Sequence, residues 1–190
     1  MNNFRYLIAS TLLVLAAITS PLTSANAVKA NEVEQQNWRI ELAKNLPVLG
    51  HRNFIVIADS AYPLQSNPGI KTIYTGEQQI EVVKAVLAAV EHAPHVNGTV
   101  YVDKELSYVP EHNAKGINNY RKALDKVLKG KNIQRLPHMD IIKKLDASSD
   151  LFNVVILKTD LTLPYTSVFI ELGAGYWNEA SETELRESMK

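Results

Sequence analysis

Histidine is the side chain best suited to move protons near neutrality, because its unperturbed pKa is about 6.5. His51 follows Gly50 and stands just before a continuous apolar run, Phe54-Ile-Val-Ile-Ala58; Asp59 follows that run and opens Asp59-Ser-Ala-Tyr-Pro63. In open α/β sheets, ligands bind beyond the carboxyl ends of strands, which makes Asp59 a candidate contact. A strand's length separates the two, so they meet only if His51 folds back or another subunit intervenes. Taken alone, His51 is a turn residue and Asp59 a loop cap. His92 and His95 stand three apart, but Pro94 breaks helical geometry between them and no carboxylate motif is near. They suit a solvated helix end better than a metal site, and His112, in a polar loop, suits an exposed position. Gly173-Ala-Gly175 lacks the third glycine and the following helix of a dinucleotide fingerprint. There is no P-loop and no G-x-S-x-G elbow. With no cysteine in the chain, disulfides, thiolate metal sites, Fe–S clusters and a cysteine nucleophile are all excluded.

The elements that must position these residues alternate. Trp38, Leu42 and Leu46 recur every four residues after a capping Asn31, with Pro47 and Gly50 ending the helix. The unbroken run 54–58 suits a strand covered on both faces. Residues 70–74 read as a second strand. Thr75 with Gln78 has capping-box spacing ahead of a helix carrying Ile80, Val83, Leu87 and Val90 on one face. Residues 99–102 form a short strand. A third helix is expected over 114–128, with Ile117, Tyr120, Leu124 and Leu128 in register and Gly130 at its end. Strand signals at 133–136, 153–157 and 167–172 follow, with Pro137 placed for the first turn of a fourth helix whose buried side is Ile141, Ile142 and Leu145. The last 13 residues, from Asn178, are polar and read as a frayed tail or a short surface helix. The fold class is α/β: a single domain with a largely parallel or mixed sheet flanked by helices.

The whole chain has 190 residues, 46% of them apolar and 21% charged, which is ordinary for a globular domain. Twenty basic residues balance twenty acidic ones, removing the electrostatic case for nucleic acid or an anionic membrane as a main partner. Residues 1–27 have the pattern of a secretory signal: Arg5, an apolar stretch from Leu7 to about Ile18, then Ala25-Asn26-Ala27 as a small-x-small cleavage site. The stretch is short of the roughly 20 residues a spanning helix needs, so stable membrane insertion is not expected. The expected organisation is a cleaved leader over 1–27, one domain over 28–177 and a polar tail over 178–190, with a periplasmic or secreted product.

Three segments in order resemble the D-ribose pyranase and L-fucose mutarotase family. The first is Leu49-Gly50-His51-Arg52-Asn53, then the strand, then Asp59-Ser-Ala-Tyr-Pro63. The second is Leu136-Pro137-His138-Met-Asp-Ile-Ile-Lys-Lys, similar to the family's helix-opening histidine. The third is Pro164-Tyr165-Thr166-Ser167-Val-Phe-Ile-Glu-Leu-Gly-Ala-Gly, similar to its Pro-Tyr-Ala-Asn strand. The resemblance spans about Leu46 to Trp177 and implies the fold of that family.

It also implies roles: His51 as the acid/base, Asp59 and His138 as sugar contacts, and Tyr165, Thr166 and Ser167 as contacts from the last strand. It implies a homo-oligomer, possibly a decamer, with sites shared between neighbouring subunits, no cofactor and no metal. The ligand would be a monosaccharide such as ribose or fucose. Opening a sugar hemiacetal takes a proton from the anomeric hydroxyl and delivers one to the ring oxygen, work for a group that titrates near ambient pH. His138, at a helix N-terminus, would suit a neutral hydrogen-bonding role. Two departures stand out. Ser167 replaces the family's usual Asn, and Lys158-Thr159-Asp160 replaces its Arg-(Ser/Thr)-Gly-Glu. An exported sugar mutarotase or pyranase is the first expectation; a non-catalytic periplasmic sugar-binding or interaction protein on the same fold is the second.

Overall fold

The computed structural model describes residues 37–190. The leader expected at 1–27 and the helix cap expected at Asn31 lie outside the described residues. Residues 37–45 are helical (α1) and turn Trp38 and Leu42 inward, fully and almost fully buried. Leu46 is buried one turn on, at the start of the 3-10 turn Leu46–Val48 that holds Pro47 and ends the helix. The elements then run β1 (Phe54–Ala58), β2 (Ile70–Tyr74), α2 (Gln79–Glu91), β3 (Val96–Asp103), a 3-10 turn (Lys104–Tyr108) and α3 (Ile117–Leu128). They continue with β4 (Asn132–Leu136), α4 (His138–Ser149), β5 (Val154–Lys158), β6 (Val168–Ala174) and α5 (Glu179–Ser188).

Several boundaries differ from the sequence expectation for identifiable reasons. β3 begins at Val96 rather than 99, because antiparallel pairing with β6 carries through Val96↔Ala174 and Asn97↔Gly173. α3 begins at Ile117 because Gly116 takes φ +97°, a left-handed conformation that a helix cannot continue through. The Thr75–Gln78 capping box does not form. Thr75 Oγ1 donates instead to the Lys158 carbonyl at 3.0 Å, tying it to the end of β5, and Gln78 caps α2 without a side-chain bond. The polar tail is a surface helix: Asn178 Oδ1 accepts from Ser181 N at 2.9 Å, and α5 buries no residue.

The six strands form one sheet in the order β2-β5-β1-β6-β3-β4. β1, β5 and β2 are mutually parallel, as are β3 and β4; β6 is antiparallel to both β1 and β3. Five strands therefore point one way and β6 the other. Strand side chains alternate between two cores. Ile55, Ile57, Val100, Val102, Val168 and Ile170 pack under α1, α2 and α3, where Ile117, Tyr120, Leu124 and Leu128 are all buried. Phe54, Val56, Tyr101 and Phe169 face the other way, against Ile141 and Leu145 of α4. Gly175 lies past β6 where a Cβ would sit 2.7 Å from the carbonyl oxygens of Pro94 and Val96. The Gly173-Ala-Gly175 segment thus answers to close backbone packing.

Candidate functional site

Because β6 runs against its neighbours, its first residues lie beside the carboxyl ends of β1 and β3, at the edge of the sheet where β4 and β5, one strand further out, also finish. Asp59 follows β1, Asp103 ends β3, His138 opens α4 directly after β4, and Ser167 precedes β6. Ser167 Oγ donates to Asp59 Oδ2 at 3.1 Å, while Asp59 Oδ1 accepts from Ala61 N at 2.9 Å in a turn that fixes the carboxylate. The aspartate is thus held with both oxygens oriented, and Ser167 is its immediate neighbour.

His138 has two acidic partners. Its Nδ1 lies 3.0 Å from Asp103 Oδ2, and its backbone N–H is shared by both oxygens of Glu105 at 3.0 Å. Pro137 supplies no side-chain cap to α4, so Glu105 from the preceding 3-10 turn covers that helix end instead. Two carboxylates therefore stand beside His138 in addition to the helix N-terminus. Asp103 is 1% exposed and its Oδ1 has no hydrogen-bond partner. Burial pushes its carboxyl up to about 6, against the pull of His138 and with help from Glu105 and Asp59. Neither Asp103 nor Glu105 stood out in the sequence. The signal was available for the first: an apolar strand ending in Asp occurs at 54–59 and again at 100–103.

Tyr165 stacks edge-on against the His138 ring, with centroids 5.7 Å apart, and is half exposed. Its φ of +57° places a bulky residue in left-handed backbone beside Pro164, a conformation that persists only where surroundings enforce it. The enforcing contacts come from behind the sheet. The Thr166 carbonyl accepts from Tyr120 Oη at 2.8 Å and from Gln79 Nε2; Gln79 Oε1 accepts in turn from Thr159 Oγ1 at 3.2 Å. Burial pushes the Tyr120 phenol upward, so it stays a donor. The Thr166 side chain is fully buried and donates to the Leu163 carbonyl at 2.8 Å. It holds the loop rather than facing solvent.

His51 is elsewhere. It is exposed, on the turn before β1, at the edge opposite Asp59. Five strand residues at roughly 3.3 Å each put about 17 Å between the two ends. The turn itself is firmly built. Asn53 Oδ1 accepts from Gly50 N at 2.7 Å, Arg52 N donates to the Leu172 carbonyl at 2.8 Å, and Ser148 Oγ donates to the Arg52 carbonyl at 2.7 Å. Arg52, at φ +75°, is the other non-glycine residue with left-handed backbone among the described residues. The structure thus brings Asp59, His138, Tyr165 and Ser167 to one edge and leaves His51 on the far one.

A cavity of about 570 Å³ opens beside this edge, lined by Glu105, Tyr108, Pro110, Pro137, Pro164 and Tyr165 among others. A hollow of similar size, about 560 Å³, lies between α2 and α3. Its carboxylates, Glu81 and Glu91, are tied to Lys84 and Lys131, and no histidine lines it, so it offers no comparable proton chemistry. His92 Nδ1 lies 2.7 Å from the Ala88 carbonyl and His95 Nε2 3.1 Å from that of Leu46. Among the described residues, no group of three or more His, Cys, Asp or Glu is placed to hold a metal ion, and no helix is long and apolar enough to cross a membrane.

The sequence pattern of the RbsD / FucU transport protein family matches residues 37–174, nearly all of the described α/β domain. The chain belongs to this family. Solved structures to which the chain is similar include Bacillus subtilis RbsD complexed with D-ribose, 22% identical over 70% of this chain and 92% of the other, TM-score 0.48. The fucose mutarotase of Streptococcus pneumoniae in complex with L-fucose is 20% identical over 70% and 91%, TM-score 0.47. FucU from Bifidobacterium longum is 20% identical over 70% and 94%, TM-score 0.48. No curated protein sequence matches the chain. The family match ends at the close of β6, so α5 lies beyond it.

Proposed function

We propose that the protein is an exported sugar mutarotase or pyranase, interconverting ring forms or anomers of a free monosaccharide such as ribose or fucose by acid/base ring opening. The observation that carries this is the convergence at one sheet edge of Asp59, His138, Tyr165 and Ser167, side chains able to bind sugar hydroxyls, beside an open cavity. Asp59 accepts hydrogen bonds from the sugar, Ser167 and Tyr165 orient it, and His51 is the acid/base. The chemistry needs protons only, so no cofactor or metal enters. Within one subunit His51 and Asp59 stand at opposite ends of β1. An exposed histidine on a rigid turn is suited to complete the pocket of another copy, and we assign the site to a homo-oligomer larger than a dimer, possibly a decamer. Residues 1–27 direct the chain to the periplasm or outside the cell.

Exchange NMR on ribose, fucose and other free sugars tests the assignment: the protein should accelerate anomer or ring-form exchange. The Ser167–Asp59 bond favours one other function, because it ties up one Asp59 oxygen. On that view the protein binds a monosaccharide without turning it over, and sugar binding without faster exchange would decide for it.

A further inference from the structure

Ring opening requires two proton transfers at two different atoms, a task that two positioned acid/base groups on opposite sides of the sugar can share. The same end of the sheet holds a second histidine, paired with a buried carboxylate. Asp103 is buried on the sheet face covered by α4, its Oδ2 lies 3.0 Å from His138 Nδ1, and its Oδ1 has no partner. A buried carboxylate with one oxygen unsatisfied is a costly feature for packing alone. An aspartate accepting from Nδ1–H fixes the tautomer in which Nε2 carries the lone pair. No protein group among the described residues bonds that Nε2, and the ring is braced edge-on by Tyr165.

Resting on the sugar-isomerase assignment above, we propose that His138 is a second acid/base group and Asp103 its positioning residue. His138 Nε2 takes the proton from the anomeric O–H as the bond from that carbon to the ring oxygen breaks. The carbonyl forms at the anomeric carbon, and the ring oxygen receives a proton from the opposing acid, His51 of a neighbouring copy. On closure the hydroxyl that becomes the ring oxygen loses its proton, and the carbonyl oxygen gains one. No electron or atom is left over, and both histidines return to their starting states after the reverse transfers.

The test uses the full-length protein with isotope-labelled histidine. Two-bond ¹H–¹⁵N correlation should show neutral His138 protonated at Nδ1, and Asp103→Asn should abolish that preference. In exchange NMR on the sugar the wild type turns over, Asp103→Asn should lower kcat by about 10- to 100-fold, the range seen when a residue orienting a functional histidine is lost, with KM changed less than about threefold. Asp103→Glu, which keeps the carboxylate, checks that a loss is not simple misfolding and should retain the Nδ1-protonated form. Nε2 protonation in the wild type overturns the relay, as does unchanged kcat in Asp103→Asn or an effect confined to KM. A wild type inactive on every sugar tried overturns the isomerase assignment itself; an active wild type matched by Asp103→Asn overturns the relay alone.

Discussion

At the residue scale, Asp103 is the carboxyl that its surroundings raise at this end of the sheet. Its carboxyl moves from 3.8 to about 6, chiefly by desolvation. A carboxyl raised on folding favours the protonated native state. Its stabilisation is present below the unfolded value and lost as pH rises through the folded one. Two units correspond to about 3 kcal/mol, an upper bound once neighbours relax. Asp103→Asn should therefore melt higher than wild type at about pH 8 and match it near pH 4, even while activity falls, a trade of stability for function. Thermal melts at the two pH values settle it; equal melting temperatures at both would remove the linkage. Tyr165→Phe keeps the ring against His138 and removes only the hydroxyl. Sugar affinity should fall by roughly 0.5–1.5 kcal/mol, one hydrogen bond, in a calorimetric titration. His51→Ala should abolish most exchange with the circular dichroism spectrum and oligomer size unchanged, and wild-type rates in that variant would remove His51 from the chemistry.

At the element scale, α4 carries His138 into position but is not capped by its own sequence; Glu105, in the 3-10 turn after β3, caps it. Glu105→Ala should cost about 1 kcal/mol in denaturant unfolding, the usual worth of a cap, and should loosen the His138 amide in hydrogen exchange ahead of the α4 centre. A variant as stable as wild type with unchanged exchange would show the cap is redundant. The elements themselves were largely readable, since burial on two faces forces an unbroken apolar run at 54–58 and a four-residue stripe at Ile117, Tyr120, Leu124 and Leu128. Local cap signals were less dependable: Thr75 found a better acceptor on β5 than on its own helix. The candidate site was legible where a motif is contiguous, as at Asp59, Tyr165 and Ser167, while the Thr166 side chain between them is buried and holds the loop. Asp103, Glu105 and Gln79 were not legible, because their significance arises only when β3 and α2 are laid against β4 and β6.

At the scale of the whole molecule, the separation of His51 and Asp59 at opposite ends of β1 invites a complementation experiment. His51→Ala and Asp59→Asn subunits, each inactive as pure oligomers, should regain activity when unfolded and reassembled together, at about a quarter of sites in an equal random mixture. No recovery would place the whole reaction within one subunit; light scattering on the same samples should give a species larger than a dimer, and a monomer would sink the shared site. Mass spectrometry of protein from its native envelope should find residues 1–27 removed, and an intact N-terminus would contradict export. One further consequence comes from the clasp on the Thr166 carbonyl. Tyr120 on α3 and Gln79 on α2 grip it from the face of the sheet that never meets the cavity. The pose of Tyr165 and Ser167 is thus governed by residues hidden from any ligand. Exchanging Gln79 for a shorter amide, or Tyr120 for Phe, would retune the pocket from behind without altering its lining. The preference of such a pocket can accordingly drift through positions that no inspection of its lining would single out, and a mutant library confined to that lining would pass over Gln79 and Tyr120.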